Sequence, residues 1–210
     1  MKKWLETDNF EEAFEKFNDN MGEIEQNLTE PLILENLIVN GDFSDGTNRW
    51  NTSRLSLTAS NNKGHLFSET DVIAYPNINQ RIANEIGDMY FVSFEISENM
   101  NDKVTSQFQL GSQIPLVFSG NGIKSRVFTS NSSTGFAYLN HVVQIGGTIN
   151  YKVTNFMLLN LTQTFGKGNE PTKEEMDEII NIIGWFDNEY ALSNKEMFIA
   201  LLNMIRKNTM

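Results

Sequence analysis

The stretch Asn36–Trp50, NLIVNGDFSDGTNRW, combines an apolar, strand-like run with two turns and two large rings. Asn40-Gly41 is a dipeptide typical of tight turns and predicts a bend at the end of the first strand. We expect Phe43 and Trp50 to fold back and close the edge of the β-structure. The acidic residues of the stretch are interpreted as turn acids: Asp42 and Asp45. The stretch therefore predicts a β-fold whose first strand ends in an ordered loop.

Alternation of apolar and polar residues predicts a β-rich domain over residues 34–165. In Met89–Ser97 the residues Tyr90 and Val92 share one face, and Phe91 lies on the other. Short alternating runs separated by polar turns are typical of antiparallel sandwiches and barrels. The remaining predicted strands are Arg54–Ser60, Val104–Leu110, Ile123–Thr129, Gly135–Val143 and Ile149–Leu159.

Residues 1–33 are predicted to form a separate N-terminal helix. Its apolar residues follow the four-three spacing of a coiled coil: Phe10, Phe14, Phe17, Met21, Ile24 and Leu28. Two interpretations stay open, a helix lying on its own domain and self-association through a short bundle.

The C-terminal segment, 166–210, is predicted to be a helical hairpin. Thr172 with Glu175 and Ser193 with Glu196 have the spacing of capping boxes, so each pair marks the start of a helix. We expect the apolar stripes of these helices either to cover the sandwich or to dock on a partner.

Composition excludes several classes of function. A net charge of −11 argues against nucleic acid and anionic membranes as partners, and no apolar run is long enough for membrane insertion. The chain has no cysteine and only two histidines, so thiolate chemistry is excluded and a zinc site is not expected. No secretory signal is recognised at the N-terminus.

No catalytic motif is recognised and no carboxylate pair stands out, so we expect a protein that is not an enzyme.

A saccharide-binding face needs amides, carboxylates and an aromatic ring on the outside of a sheet. The alternation of the strands predicts such a face from six residues: Phe91, Glu95, Gln107, Gln109, Arg126 and Tyr138. Tyr75, in the segment 74–82, is a seventh candidate. A merely polar outer face, as on any antiparallel sheet, is the alternative.

Asn36–Trp50, followed by AYPNINQRI (74–82) and GDMYFVSFEIS (87–97), resembles the jelly-roll carbohydrate-binding modules that bind glucans and xylans. The resemblance implies a mainly β fold, an antiparallel jelly-roll β-sandwich, and saccharide binding. It also implies either no cofactor or one structural calcium, with Asp42 at a ligand position. Asn155 stands where that family has Asp, and the missing negative charge would weaken calcium affinity.

Leu159–Asp177, LNLTQTFGKGNEPTKEEMD, is similar to a segment of tail and baseplate proteins of phages that infect Gram-positive bacteria. This chain has Asn160 where Asp is usual. The resemblance implies a virion tail component made in the host cytoplasm, whose partners are other tail proteins and a host cell-wall saccharide. The alternatives are a purely structural tail spacer and a secreted polysaccharide-binding module of a bacterial hydrolase.

We expect the chain to form a homo-oligomer, in particular a homotrimer. Each large apolar residue of the heptad stripe gains about 1.5–3 kcal/mol from full burial, which a lone projecting helix cannot provide. Light scattering at micromolar concentration measures the state directly. A monomer would contradict the prediction.

Overall fold

The computed structural model describes residues 31–133, 135–193, 196 and 200. The predicted heptad helix lies outside these residues. No helix within the described ranges is long and apolar enough to cross a membrane. The elements of this part are β1 (Leu32–Glu35), β2 (Asn51–Ser53), β3 (Ser56–Ser60), β4 (Lys63–Thr70), β5 (Asn77–Arg81), β6 (Met89–Ser97), β7 (Asp102–Leu110), β8 (Gln113–Phe118), β9 (Gly122–Thr129), β10 (Phe136–Asn160), α1 (Leu161–Phe165), α2 (Lys173–Ile183) and β11 (Glu189–Leu192).

Strands β2 to β10 form two antiparallel layers that share β10. The first half of β10 pairs with β5 and β7, which gives a first sheet in the order β2-β5-β10-β7-β8. Its second half pairs with β4 and β6, which gives a second sheet in the order β3-β4-β10-β6-β9. The mainly β, antiparallel sandwich expected from the sequence is confirmed. The two predicted strands Gly135–Val143 and Ile149–Leu159 prove to be one bent strand.

The bend in β10 lies between Val143 and Thr148, where the register against β7 shifts. Gly146 has a φ of +67°, a conformation that glycine adopts without steric penalty. A Cβ on Gly147 would lie 2.8 Å from Val143 Cγ1 and 3.0 Å from the Asp102 carbonyl oxygen. The two glycines therefore let one strand pass from the first sheet to the second.

An inner core fills the space between the sheets. Phe156 lies at its centre, with ring centroids 5.1 Å from Phe94, 5.6 Å from Trp50 and 5.9 Å from Phe108. Trp50 also stacks on Phe43 at 5.3 Å, so the two rings of the opening stretch close this core at its edge. Such ring pairs add attraction beyond the area they bury.

A second core lies between the outer face of the second sheet and the C-terminal segment. Met157 and Leu159 of β10 pack there with Met176 and Ile179 of α2 and with Leu34 of β1. The described part of the predicted segment 166–210 thus shares a core with the sandwich. The predicted helical hairpin is interrupted by a strand, because β11 follows α2 and pairs with β1. Beyond it the Ser193 hydroxyl accepts from the Glu196 N–H, as in a helix cap.

A bulge in β10 is held by the side chain of Asn36. The register against β6 shifts between Thr154 and Met157, which leaves backbone groups of the bulge without strand partners. The Asn36 amide donates to the carbonyls of Phe156 and Phe186 and accepts from the N–H groups of Ile38 and Leu158. One buried amide therefore joins the start of the sandwich, its central strand and the C-terminal segment.

The loop that ends the opening stretch is organised by Asn40. Its amide nitrogen donates to the carbonyls of Gly46 at 3.2 Å and Asn48 at 2.9 Å, and its oxygen accepts from the Asp45 N–H at 3.0 Å. The Trp50 indole donates to the Asn40 carbonyl at 3.0 Å. The order of residues in Asn36–Trp50 is thus explained by an amide that closes the loop.

The segment Leu159–Asp177 leads the chain from the end of β10 through α1 into α2. The Asn160 oxygen caps α1, while its amide nitrogen donates to Asp88 at 2.8 Å. An Asp at this position could cap the helix but would place two carboxylates together, which explains why Asn fits this chain. Glu170 closes the following turn, and the hydrogen bond from the Thr162 hydroxyl lowers the Glu170 pKa.

His141 is buried on the inner side of β10 without a charged partner. Its Nδ1 lies 3.1 Å from the Pro76 carbonyl oxygen and its Nε2 lies 2.9 Å from the Tyr151 hydroxyl. A carbonyl only accepts, so Nδ1 carries the proton and the tyrosine donates to Nε2. Burial lowers the pKa of His141 from 6.5 to about 4, against a smaller opposing effect of the Pro76 hydrogen bond.

Gly41→Ala should destabilise the protein by at least about 2 kcal/mol. The new Cβ would lie 2.1 Å from the Phe156 carbonyl oxygen, a backbone atom that Asn36 and the bulge hold in place. Gly46→Asn is the control, since Gly46 has no neighbour within 4 Å of a Cβ and asparagine tolerates its positive φ. Urea unfolding should show a large loss for the first variant and a small change for the second. Equal losses would contradict the close approach.

Acidification should destabilise the protein through His141. Its folded pKa lies below the unfolded value, so between pH 6.5 and pH 4 only the unfolded state binds the proton and stability falls as the pH falls. The loss by pH 4 should approach about 3 kcal/mol. Urea unfolding across this range should show a smaller pH slope for His141→Gln, which stays neutral. An unchanged slope in the variant would contradict the assignment.

Candidate functional site

The outer face of the first sheet carries rows of side-chain amides around two aromatic rings. Alternation along the first half of β10 turns Ala137 and Leu139 into the inner core and Tyr138 and Asn140 to the outside. Strand register then defines two rows across the sheet. The first row contains Asn51, Asn79, Tyr138 and Gln109, and the second contains Ser53, Asn77, Asn140 and Gln107. We call these residues, with Phe136 and Arg81 at one end, the open face.

Hydrogen bonds within the open face orient its amides. Asn79 donates to the Asn77 oxygen at 2.9 Å, and Asn140 donates to the Gln109 oxygen at 3.1 Å. Gln109 in turn donates to the Gly111 carbonyl at 2.7 Å. Each amide has two N–H groups and an oxygen with two lone pairs, so these bonds leave capacity on every one of them. The open face therefore carries oriented donors and acceptors with unused hydrogen-bonding capacity.

The aromatic rings of the open face belong to neither core. Phe136 and Tyr138 are half-buried, their centroids lie 5.8 Å apart, and their planes are tilted by 32°. Tyr75, just before β5, is 54% exposed. Rings that the fold does not bury are available for stacking against the apolar face of a ligand. The charged member of the face is Arg81, which is exposed at the end of β5.

The predicted binding residues divide between the two sheets. The structure places Gln107, Gln109 and Tyr138 on the open face, with Tyr75 beside it. Gln107, however, is only 8% exposed, so the expectation that its side chain faces solvent is wrong. It lies at the middle of the face between Asn140 and Val117, where neighbouring side chains cover it.

The other predicted residues lie on the second sheet, and their grouping with the open face is wrong. Phe91 is 0% exposed because the C-terminal segment covers its side of β6, so it cannot stack on a ligand. Glu95 shares that outer side of β6. Arg126 pairs with Val92, whose side chain enters the inner core, so it lies on the opposite side of the sheet from Glu95.

The residues at the predicted calcium position do not fit a calcium ion. The Asp42 carboxylate accepts from the Ser44 N–H at 3.0 Å, as expected of a turn acid. The carbonyls of Gly46 and Asn48, potential cation ligands in the same loop, are bonded to Asn40 instead. Asn155 lies in the bulge, and in the described ranges no three acidic or histidine side chains converge. Calcium prefers several oxygen ligands with negative charge, and this loop is closed by a neutral amide.

Sequence reasoning missed two amides that β5 supplies to the open face. Asn77 and Asn79 alternate with Ile78 and Gln80, a pattern that predicts a strand with two outward amides. Gln80 faces inward and its side chain bonds to both backbone groups of Val39. A polar residue therefore occupies an inner position of the strand, where alternation alone would predict an apolar one. Asn140 and Phe136 were also missed, although they alternate with Ala137 and Leu139 in the same way as the predicted Tyr138 and so share its side of the strand.

No protein-family model matches this chain, and no curated protein does. Among solved structures, the chain is similar to the enzymatically active domain of bacteriophage CBA120 tailspike protein 4, with 18% identity, a TM-score of 0.44 and a match over 59% of this chain and 21% of that one. It is also similar to a family 4 carbohydrate-binding module (12% identity, TM-score 0.46, 59% and 99% of the two chains). A third is a family 16 carbohydrate-binding module (16% identity, TM-score 0.40, 59% and 99%). The chain thus spans about a fifth of the tailspike chain.

Proposed function

We propose that the open face binds a neutral, hydroxyl-rich saccharide. The observation that carries this proposal is the pair of half-buried rings, Phe136 and Tyr138, that the fold leaves out of both cores and surrounds with oriented amides. A sugar ring has an apolar face for stacking and a rim of hydroxyl groups that donate and accept. The rings of the open face can stack on the apolar face of the sugar, and its amides can hydrogen-bond to the hydroxyl groups.

The charge of the open face supports a neutral ligand. The chain as a whole carries −11, yet the two described rows consist of amides, one serine and one tyrosine, with Arg81 at their end. An amide donates and accepts at once, which suits hydroxyl groups of either orientation. A polycation would gain no ion pair here, and a polyanion would meet the overall negative charge of the protein.

We propose binding without cleavage. Hydrolysis of a glycosidic bond normally requires two carboxylates at a defined separation on either side of the bond. The two rows that the structure describes on the open face contain no carboxylate.

The proposed setting is a virion tail, inferred from the sequence of Leu159–Asp177. A shallow face with few hydrogen bonds binds a single saccharide weakly, and several copies on one particle would raise the effective affinity. The module of a secreted hydrolase is equally compatible with a saccharide-binding face. The two settings differ in assembly, since only the tail setting requires the oligomer expected from the heptad stripe.

Tyr138→Ala should weaken binding to polysaccharide about tenfold, because the ring loses its stacking contact. Asn79→Ala should weaken it less, by the few-fold expected of one hydrogen bond. Titration calorimetry against soluble glucan, xylan and Gram-positive wall polysaccharide measures each effect on the full chain.

The matched control is Phe67→Ala, which removes a partly exposed ring from the second sheet. It should leave binding unchanged, and thermal unfolding checks that each variant remains folded. If the wild-type protein binds none of these polysaccharides even when multimerised, the sandwich is a spacer and the proposal fails.

A further inference from the structure

We propose a second binding site, for an amino sugar with a free ammonium group, in a cleft between the second sheet and α2. The cleft has a volume of about 490 Å³, within the range of small-molecule sites. It lies on the opposite layer of the sandwich from the open face and shares no residue with it. The proposal is therefore independent of saccharide binding at the open face.

Polar groups from three strands form the sheet side of the cleft. Ser93 and Glu95 come from the outer side of β6, Ser125 from the paired position on β9, and Asn155 from the bulge of β10. The bulge is essential to this wall, since the positive φ of Asn155 places an extra residue beside the cleft.

The helix side of the cleft supplies one ion pair, one amide and one large ring. Lys173 and Asp177 lie one turn apart on α2 and bond to each other, so their charges cancel. Asn181 follows a turn later, and Trp185 closes the end of the cleft just after the helix. The buried indole N–H of Trp185 has no acceptor among the described residues.

Three polar side chains of the sheet side are not used by the fold. Within the described ranges, no side-chain hydrogen bond or ion pair engages Ser93, Glu95 or Ser125, whereas buried amides such as Asn36 are fully engaged. Ser93 is only 5% exposed, and buried polar groups are normally hydrogen-bonded. These groups therefore have capacity that a ligand can fill.

The charge of the cleft selects the ligand. With Lys173 and Asp177 paired, the half-buried Glu95 carboxylate is the uncompensated charge, and it favours a cation. Trp185, which lines the same cleft, adds an aromatic ring of the kind that attracts ammonium groups. The serine hydroxyls and the amides of Asn155 and Asn181 suit the hydroxyl groups of a sugar. A hydroxylated primary amine meets all of these requirements.

The test is a titration of the full chain with glucosamine, N-acetylglucosamine and glucose, followed by calorimetry or ligand-detected NMR. Glucosamine should bind, and the two neutral sugars should bind at least about tenfold more weakly because they lack the ammonium group. Glu95→Gln keeps the shape of the side chain and should reduce glucosamine affinity about tenfold. Glu69→Gln, which removes an exposed carboxylate of the same sheet outside the cleft, is the control and should change nothing.

Tyr138→Ala separates this site from the open face and should leave glucosamine binding intact. Thermal unfolding should show that Glu95→Gln is folded, because the Glu95 side chain makes no hydrogen bond or ion pair with the described residues and its backbone pairing is unchanged by the substitution. The comparison of the three sugars is made in the Tyr138→Ala chain, so that neutral sugars bound at the open face contribute less. In that chain, equal binding of N-acetylglucosamine, or full affinity after the further change Glu95→Gln, would overturn the proposal, as would absence of glucosamine binding to the wild-type chain. A loss of glucosamine binding in Tyr138→Ala would assign the ligand to the open face instead.

Discussion

The whole sandwich depends on β10 being the central strand of both sheets. Its first half pairs with β5 on one side and β7 on the other, and its second half pairs with β4 over residues 147–153 and with β6 over residues 152–160. A shift of one residue would exchange its inner and outer side chains in both layers at once. The register of this one strand therefore sets the inner core, the open face and the second core together.

The bulge in β10 needs hydrogen-bond partners from outside its own sheet. The strand must leave the pairing with β6 locally, and the backbone groups that lose their partners are buried. Asn36 satisfies two donors and two acceptors there and in the C-terminal segment, which no apolar side chain could do. The close approach of Gly41 to Phe156 belongs to the same arrangement, since any larger residue would push the opening loop away from the bulge.

The two outer faces of the sandwich differ because a single segment covers one of them. The C-terminal helix and β11 bury apolar side chains on the outer side of the second sheet, so this side is part of a hydrophobic core. The first sheet has no such cover among the described residues, and its outer positions are amides and partly exposed rings. Where the cover over the second sheet is incomplete, the cleft beside α2 remains. The positions of the two proposed binding surfaces thus follow from where the C-terminal segment packs.

The sequence by itself determined the local elements and the inner sides of the strands. Period-two alternation in Met89–Ser97 and the capping box at Thr172 are short-range patterns, and the structure has both. Only the tertiary structure decided which outer side is open. Alternation shows that Phe91 and Gln109 each face away from the inner core, but not that α2 and β11 cover the first and leave the second accessible. The physical reason is that covering a face requires contacts between residues far apart in the chain, and no local pattern records which distant segment supplies them.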